Sequence, residues 1–389
     1  MRLSNVLPLL IFLWLISCAS VEPLGKGQSG QLEDDEQRLW KTVLEEEKRL
    51  DRSGAIYDAP VITAYLKEVI QKLVPEAMKS SPLTIQVKIV KNPLLNAFAF
   101  PNGIIYVHTG ILARMENEAQ LATLLGHELT HATHRHTIQE LRGSRRSSAA
   151  LATLQMVALP FGVFGAAVTA LGAVGYVAAV TGYSRGREAE ADQEGLALMV
   201  AAGYSPQEAP KLFEHLKRDL EERKVNEPFF FGTHPRLTER VESYSELLAE
   251  RYAGRTGELG EERYQARMLP LFVENARTDL AIGRFGLAQQ TLERVLRWKA
   301  TDARALYYLG EVFRQRDEPG DRDRVEPTYR KAIEADATYA DPHRAIGTLY
   351  VKRGQTREAG AELQRYLELA PQAPDRAHVE QQLKDLARQ

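Results

Sequence analysis

The sequence predicts a mainly helical α+β chain, a domain with a small β-sheet followed by an all-helical solenoid. Three observations carry that expectation. Apolar residues alternate at Ile85, Val87 and Ile89, and two further extended runs flank Pro101-Asn102-Gly103, which together give the sheet. Helical periodicity surrounds these strands on both sides. From about residue 263 to the end, small residues recur at intervals of 34 and 37, which gives the solenoid. With 389 residues, 44% of them hydrophobic, the chain is long enough for two domains with separate cores. Its net charge of -2 leaves no basic excess, which excludes nucleic acid and an anionic membrane surface as charge-driven partners.

Taken in order, Arg2 and the apolar run from Val6 to Ile16 read as a secretory signal over residues 1–17, too short to span a bilayer comfortably. The run ends in Leu15-Ile16-Ser17-Cys18, which resembles a bacterial lipobox, and Cys18 is the only cysteine. A single cysteine forms no internal disulfide, so lipidation of Cys18 is the expectation, with 18–30 as a lipid-anchored tether. Ala19 in place of Asp resembles an outer-membrane destination in enteric-type bacteria. Helices are expected over about 33–50 and 59–74, then a strand over 83–90, then a hairpin turning at Pro101-Asn102-Gly103.

Asn117, with Gln120 three residues on, reads as the start of a helix running through at least His131. An uncharged stretch follows from Ser147 to Ser184, where Pro160 and the glycines argue for a buried or membrane-grazing helical hairpin over a single span. Another helix opens near Arg187 and closes at Gly203, and Ser205-Pro206-Gln207-Glu208 predicts the cap of the next. Gly254 to Gly260 breaks the pattern, which places one domain over 31–255 and another over 263–389. In the second, Ala276, Gly310 and Gly347 share one register and Gly283, Gly320 and Gly354 another. The pattern resembles three tetratricopeptide (TPR) units, in which small residues let paired helices approach.

The chemistry concentrates in His127-Glu128-Leu129-Thr130-His131, the pattern H-E-x-x-H. Residues four apart lie about 40° apart around a helix, so both imidazoles can share one metal ion. A Zn²⁺ held by neutral nitrogens remains a strong Lewis acid whose bound water ionises near neutral pH. Glu128, beside the ligand line, is placed to accept that water's proton and pass it to a leaving amine. A metzincin would need a histidine six residues after His131, where Thr137 stands. Downstream, Glu188 and Asp192 supply E-x-x-x-D.

H-E-x-x-H with E-x-x-x-D resembles the gluzincin family of zinc peptidases that includes HtpX and the CAAX prenyl endopeptidases. The resemblance implies a zincin-like metalloprotease domain, one Zn²⁺ per chain, Glu188 as third ligand and Asp192 as the group orienting a ligating histidine. Glu190 lies on another face and reads as a solvated acidic residue, and His134 and His136 read as helix-surface or packing residues. Asn96-Ala97-Phe98 before Pro101-Asn102-Gly103 resembles the family's edge strand, along which an extended substrate could add. Thr233-His234-Pro235-Arg236, with Arg240 and Val241 after it, resembles a further family segment. His234 there either stabilises the oxyanion, as a catalytic group, or fills the open metal position and holds the enzyme latent.

The order of parts is similar to the periplasmic β-barrel assembly-enhancing protease type, a zinc domain followed by TPRs. That implies a zinc endopeptidase of the bacterial envelope, in the periplasm and anchored to the outer membrane through Cys18. Its substrates would be misfolded or stalled envelope and outer-membrane proteins, with a protein partner on the TPRs. The competing expectation is a TPR chaperone or assembly factor for outer-membrane proteins with a little-used metal site, in which Glu128 would be dispensable.

Overall fold

The computed structural model describes residues 22–24, 32–144, 183–223 and 237–388. The expectations for the signal segment, Cys18, the tether after residue 24, His234 and all but the end of the uncharged stretch lie outside them. Among the described residues no helix is long and apolar enough to cross a membrane.

Helix α1 (Asp34–Arg52) starts with a capping box, in which the Glu33 backbone N–H donates to the Glu36 carboxylate at 3.0 Å. Helix α2 (Pro60–Leu73) has Pro60 in its first turn, where the missing N–H costs nothing. Three strands follow, β1 (Gln86–Val90), β2 (Ala97–Ala99) and β3 (Ile104–His108), in the order β1-β3-β2. β1 runs parallel to β3 and β2 antiparallel to it, with Phe98 opposite Tyr106. The predicted hairpin is therefore present, and β1 lies on its far side, leaving β2 at an edge.

Because side chains alternate along a strand, the sheet buries two faces. Val87, Ile89, Ala97, Ala99, Ile105 and Val107 join the core of α2 and the next long helix. Val90, Phe98, Phe100, Ile104 and Tyr106 pack against Val43 and Leu50 of α1. After a short α3 (Thr109–Arg114) comes α4 (Glu118–Thr133), which is buried along its whole length. Asn117 Oδ1 accepts from the Gln120 N–H at 2.9 Å, the expected cap, while the Gln120 side chain reaches the Glu116 N–H at 2.9 Å. α5 (His136–Ser144), α6 (Arg185–Ala201), α7 (Glu208–Arg223) and α8 (Leu237–Arg251) complete this part.

The predicted cap of α7 differs in detail: Glu208 spans to Asn117 Nδ2 at 2.7 Å and Gln120 Nε2 at 3.0 Å, so its carboxylate ties the starts of α4 and α7 together. α4 and α6 touch backbone to backbone. A Cβ on Gly126 would stand 2.7 Å from the Gly195 carbonyl oxygen, so only two glycines permit this approach.

Beyond the 254–260 loop, antiparallel pairs stack as α9 (Glu261–Ala281) with α10 (Phe285–Trp298), α11 (Ala303–Arg316) with α12 (Arg322–Ala335), and α13 (Ala340–Lys352) with α14 (Thr356–Leu369). α15 (Arg376–Leu386) covers the last pair. The glycine register read from sequence lies at the turns inside these pairs, where Gly283, Gly320 and Gly354 have positive φ. The other register lies at the helix crossings: a Cβ on Gly310 would meet the Tyr329 ring at 2.5 Å. α9 also docks on the preceding part. Tyr264 donates to the Leu112 carbonyl at 2.7 Å, and Arg294 of α10 donates to the Ala113 carbonyl at 3.0 Å, so one apolar core runs through both parts.

Candidate metal centre

α4 and α6 between them position the predicted donor set. His127 and His131, one turn apart on α4, and Glu188 in the first turn of α6 are each 1% exposed or less. Their ligand atoms all lie within 4.8 Å of one another, the only such histidine and acid cluster among the described residues. The two Nε2 atoms are 2.9 Å apart, and the Glu188 oxygens stand 3.6 Å from His127 Nε2 and 3.5 Å from His131 Nε2. Ligands about 2.0 Å from a tetrahedral Zn²⁺ are separated by roughly 3.3 Å. Two neutral nitrogens and one carboxylate at this spacing therefore fit Zn²⁺ with an open fourth position. Glu128 is 1% exposed beside them.

Each histidine is also held from behind. His127 Nδ1 lies 2.9 Å from Asp192 Oδ1, one turn beyond Glu188 on α6. Asp192 is itself held by Arg240 of α8, through Nε at 3.3 Å and through Nη2, and by the Tyr244 hydroxyl, which donates at 2.8 Å. Burial opposes charge on Asp192, but Arg240 and His127 outweigh it and hold its carboxyl well below the usual range. Arg240 is 2% exposed, with its guanidinium 4.0 Å from the Phe213 ring centroid.

His131 Nδ1 lies 2.8 Å from His136 Nδ1, and the far nitrogen of His136 is 3.3 Å from Glu190 Oε2. This bears on two expectations. Of the two readings given for His136, helix surface or packing, it is the packing one that the structure shows: His136 is fully buried, and burial with His134 and Arg187 nearby lowers its pKa to about 3. Glu190 is 47% exposed at its side chain, yet its inner side faces His136 and lies 3.7 Å from His134 Nε2. Tyr183 stacks on His131 with ring centroids 3.9 Å apart and an interplanar angle of 16°, its hydroxyl 3.0 Å from Thr137 Oγ1.

Sequence reasoning passed over Arg240, Tyr244, His136 and Tyr183 as neighbours of the site. Arg240 had one signal, its place in the segment after His234. His136 had none, because the α4 pattern stops before it: Arg135, with φ of 59°, turns the chain out of helical register.

Residues 60–248 match Peptidase family M48. Among curated relatives, the beta-barrel assembly-enhancing protease of Escherichia coli is 27% identical over 193 residues, 48% of this chain and 39% of that protein. That of Yersinia pestis is 29% identical over 187 residues, 46% of this chain and 37% of the relative. The mitochondrial metalloendopeptidase OMA1 of Arabidopsis thaliana is 33% identical over 181 residues, 44% and 35% of the two chains. The matched part of the chain thus spans well under half the length of these relatives.

Proposed function

From the premise that residues 60–248 are a Peptidase family M48 domain, we propose that the chain is a zinc-dependent endopeptidase of the bacterial cell envelope. The observation that carries the reading is the convergence of His127, His131 and Glu188 from two helices, with Glu128 buried beside them. His127 Nε2, His131 Nε2 and a Glu188 oxygen would hold the ion. Bound there, Zn²⁺ supplies a Lewis acid and an ionisable water for attack on a peptide carbonyl. Glu128 would accept a proton from the attacking water at its carboxylate and return it to the departing amine nitrogen, so the carboxylate would end each cycle as it began. Asp192 would accept a hydrogen bond from His127 Nδ1–H and so keep the Nε2 lone pair directed at the ion, and Arg240 and Tyr244 keep Asp192 charged and in place.

Support for an envelope setting comes from the names of the bacterial relatives, beta-barrel assembly-enhancing proteases, and from the lipobox-like Leu15-Ile16-Ser17-Cys18. In this reading the compartment is the periplasm, Cys18 is the outer-membrane anchor, and misfolded or stalled envelope proteins are the substrates. The helical pairs of 263–389 act as a TPR array that presents a protein partner or substrate to the metal centre. His234 acts either on the oxyanion or as a latency-holding fourth ligand, and His234→Ala separates these by the sign of its effect on activity.

The deciding experiment is casein digestion by zinc-loaded full-length protein beside Glu128→Gln and Glu188→Ala. Glu128→Gln should retain stoichiometric zinc and lose digestion by at least 10²-fold, and Glu188→Ala should lose both. Equal digestion by wild type and Glu128→Gln, or none by either, favours a binding protein with a little-used metal site.

A further inference from the structure

Resting on the metal-centre reading above, we infer that His136 is the positioning residue of His131, and that it links His131 to Glu190 while α1 holds it there. A His131 that ligates through Nε2 as a neutral imidazole carries its hydrogen on Nδ1. The atom 2.8 Å from that Nδ1 is His136 Nδ1, so His136 must accept there and carry its own hydrogen on Nε2. His136 Nε2 faces a carboxylate, Glu190 Oε2, at 3.3 Å. The directions agree along the chain: His131 donates to His136, and His136 donates to Glu190. His127 meets its carboxylate directly, whereas His131 reaches one through a second imidazole.

The second observation is the backbone that delivers His136. α4 ends after Thr133, and Arg135 adopts φ of 59°, a conformation a non-glycine residue takes only when its surroundings impose it. Those surroundings are specific. The Arg135 guanidinium is buried against Glu36 of α1, with Nε donating at 2.7 Å and Nη2 closing the pair, and Nη1 donates to the Glu22 carbonyl at 3.2 Å. Glu36 is 3% exposed. Arg142 of α5 is gripped by the same helix start, donating to Asp35 Oδ2 at 2.9 Å. An ordinary helical continuation would carry residue 136 around to another face. The left-handed turn, fixed from α1, returns it to the back of His131. The start of α1 is therefore part of the support for the metal centre, acting through Arg135.

The test uses the full-length protein and reads Zn²⁺ affinity by competition with a chromophoric chelator, together with the visible band of the Co²⁺-substituted form. His136→Phe fills the volume but cannot accept a hydrogen bond, and should weaken Zn²⁺ binding 10- to 100-fold and shift the Co²⁺ band. His136→Asn can accept through Oδ1, and should recover a substantial part of that loss although it packs less well. Glu190→Gln and Glu36→Gln should each weaken binding by a few-fold, and Glu190, half exposed, can be changed without threatening the fold. If His136 only packs, Phe will be the milder substitution and Glu190→Gln will be silent; either result overturns the assignment. Should wild type bind no stoichiometric Zn²⁺, or His131→Ala keep it, the metal centre falls and this assignment falls with it. Loss in His131→Ala with wild-type affinity in His136→Phe removes the assignment alone.

Discussion

Arg240 of α8 closes on the same Asp192 carboxylate that lies 2.9 Å from His127 Nδ1, so a helix outside the proposed donor set braces the partner of one proposed donor. Both groups of this ion pair are buried, and Tyr244 supplies a third bond. Removing one partner strands the other away from water, which is the costly way to break such a pair. Arg240→Met should lower folding stability by about 3–5 kcal/mol in denaturant titrations. Arg240→Lys, which keeps the charge but not the planar fork, should recover only part of it. In both variants Zn²⁺ should dissociate faster than from wild type, measured by chelator capture; unchanged release would show that Asp192 holds His127 without help.

Glu118, at the start of α4, offers a second buried charge far from the ligands. It meets Tyr65 at 2.8 Å, Tyr204 at 2.5 Å, Lys72 at 3.1 Å and Arg263 at 2.5 Å. Burial opposes its charge, but Arg263, the two tyrosines and Lys72 prevail and lower its pKa from 4.5 to about 2. A carboxylate with a depressed folded pKa stabilises the fold fully above its unfolded value, and the contribution disappears as pH falls from about 4.5 towards 2. The shift corresponds to roughly 3 kcal/mol. Glu118→Gln should therefore be markedly less stable than wild type at pH 7, and the gap should close on acidification over that window. A gap independent of pH would mean that packing, not charge, is what Glu118 contributes.

The glycine contact between α4 and α6 sets the distance between the two histidines and Glu188. In Gly195→Ala the new methyl would stand 2.7 Å from the His127 backbone nitrogen, and backbone cannot rotate aside as a side chain can. The helices must part by some tenths of an ångström, opening the ligand triangle. Zn²⁺ affinity should fall by at least 10-fold and stability by about 1–3 kcal/mol, the usual range for overpacking. Wild-type affinity in this variant would remove the close crossing as a determinant of the site.

In the solenoid, Gly310→Ala sets a methyl 2.5 Å from the Tyr329 ring, which is itself fully buried and bonded to Glu311. Gly347→Ala sets one 2.8 Å from Cδ2 and Cγ of Leu363, a fully buried aliphatic side chain that, unlike the Tyr329 ring, is tied by no hydrogen bond. Thermal unfolding should place Gly310→Ala well below Gly347→Ala, by an amount corresponding to about 1–2 kcal/mol. Equal melting temperatures would show that the Tyr329 ring shifts as easily as the leucine.

Much of this organisation was legible in sequence wherever the signal is local. Alternation at Val87 and Ile89, turn chemistry at Pro101-Asn102-Gly103, the Asn117 cap and the two glycine registers each reflect one strand, turn or helix pair, and each is present in the fold. The four-residue spacing of His127 and His131 likewise dictates a shared face, because a helix turn fixes the angle between them. The domain division is less simple than the composition break at 254–260 implies, since Arg294 and Tyr264 anchor the first solenoid helices onto α3.

Helical and strand periods are properties of the backbone, so the sequence by itself determined the elements, their faces and the His127, His131 and Glu128 unit. What only the tertiary structure decided is which groups stand behind the ligands. Arg240 reaches Asp192 from 48 residues away, and His136 reaches His131 across a turn whose shape depends on Glu36, 99 residues before Arg135. No spacing rule covers either contact. Both depend on how separately formed helices pack, and a buried polar group must find its partner wherever that packing puts one.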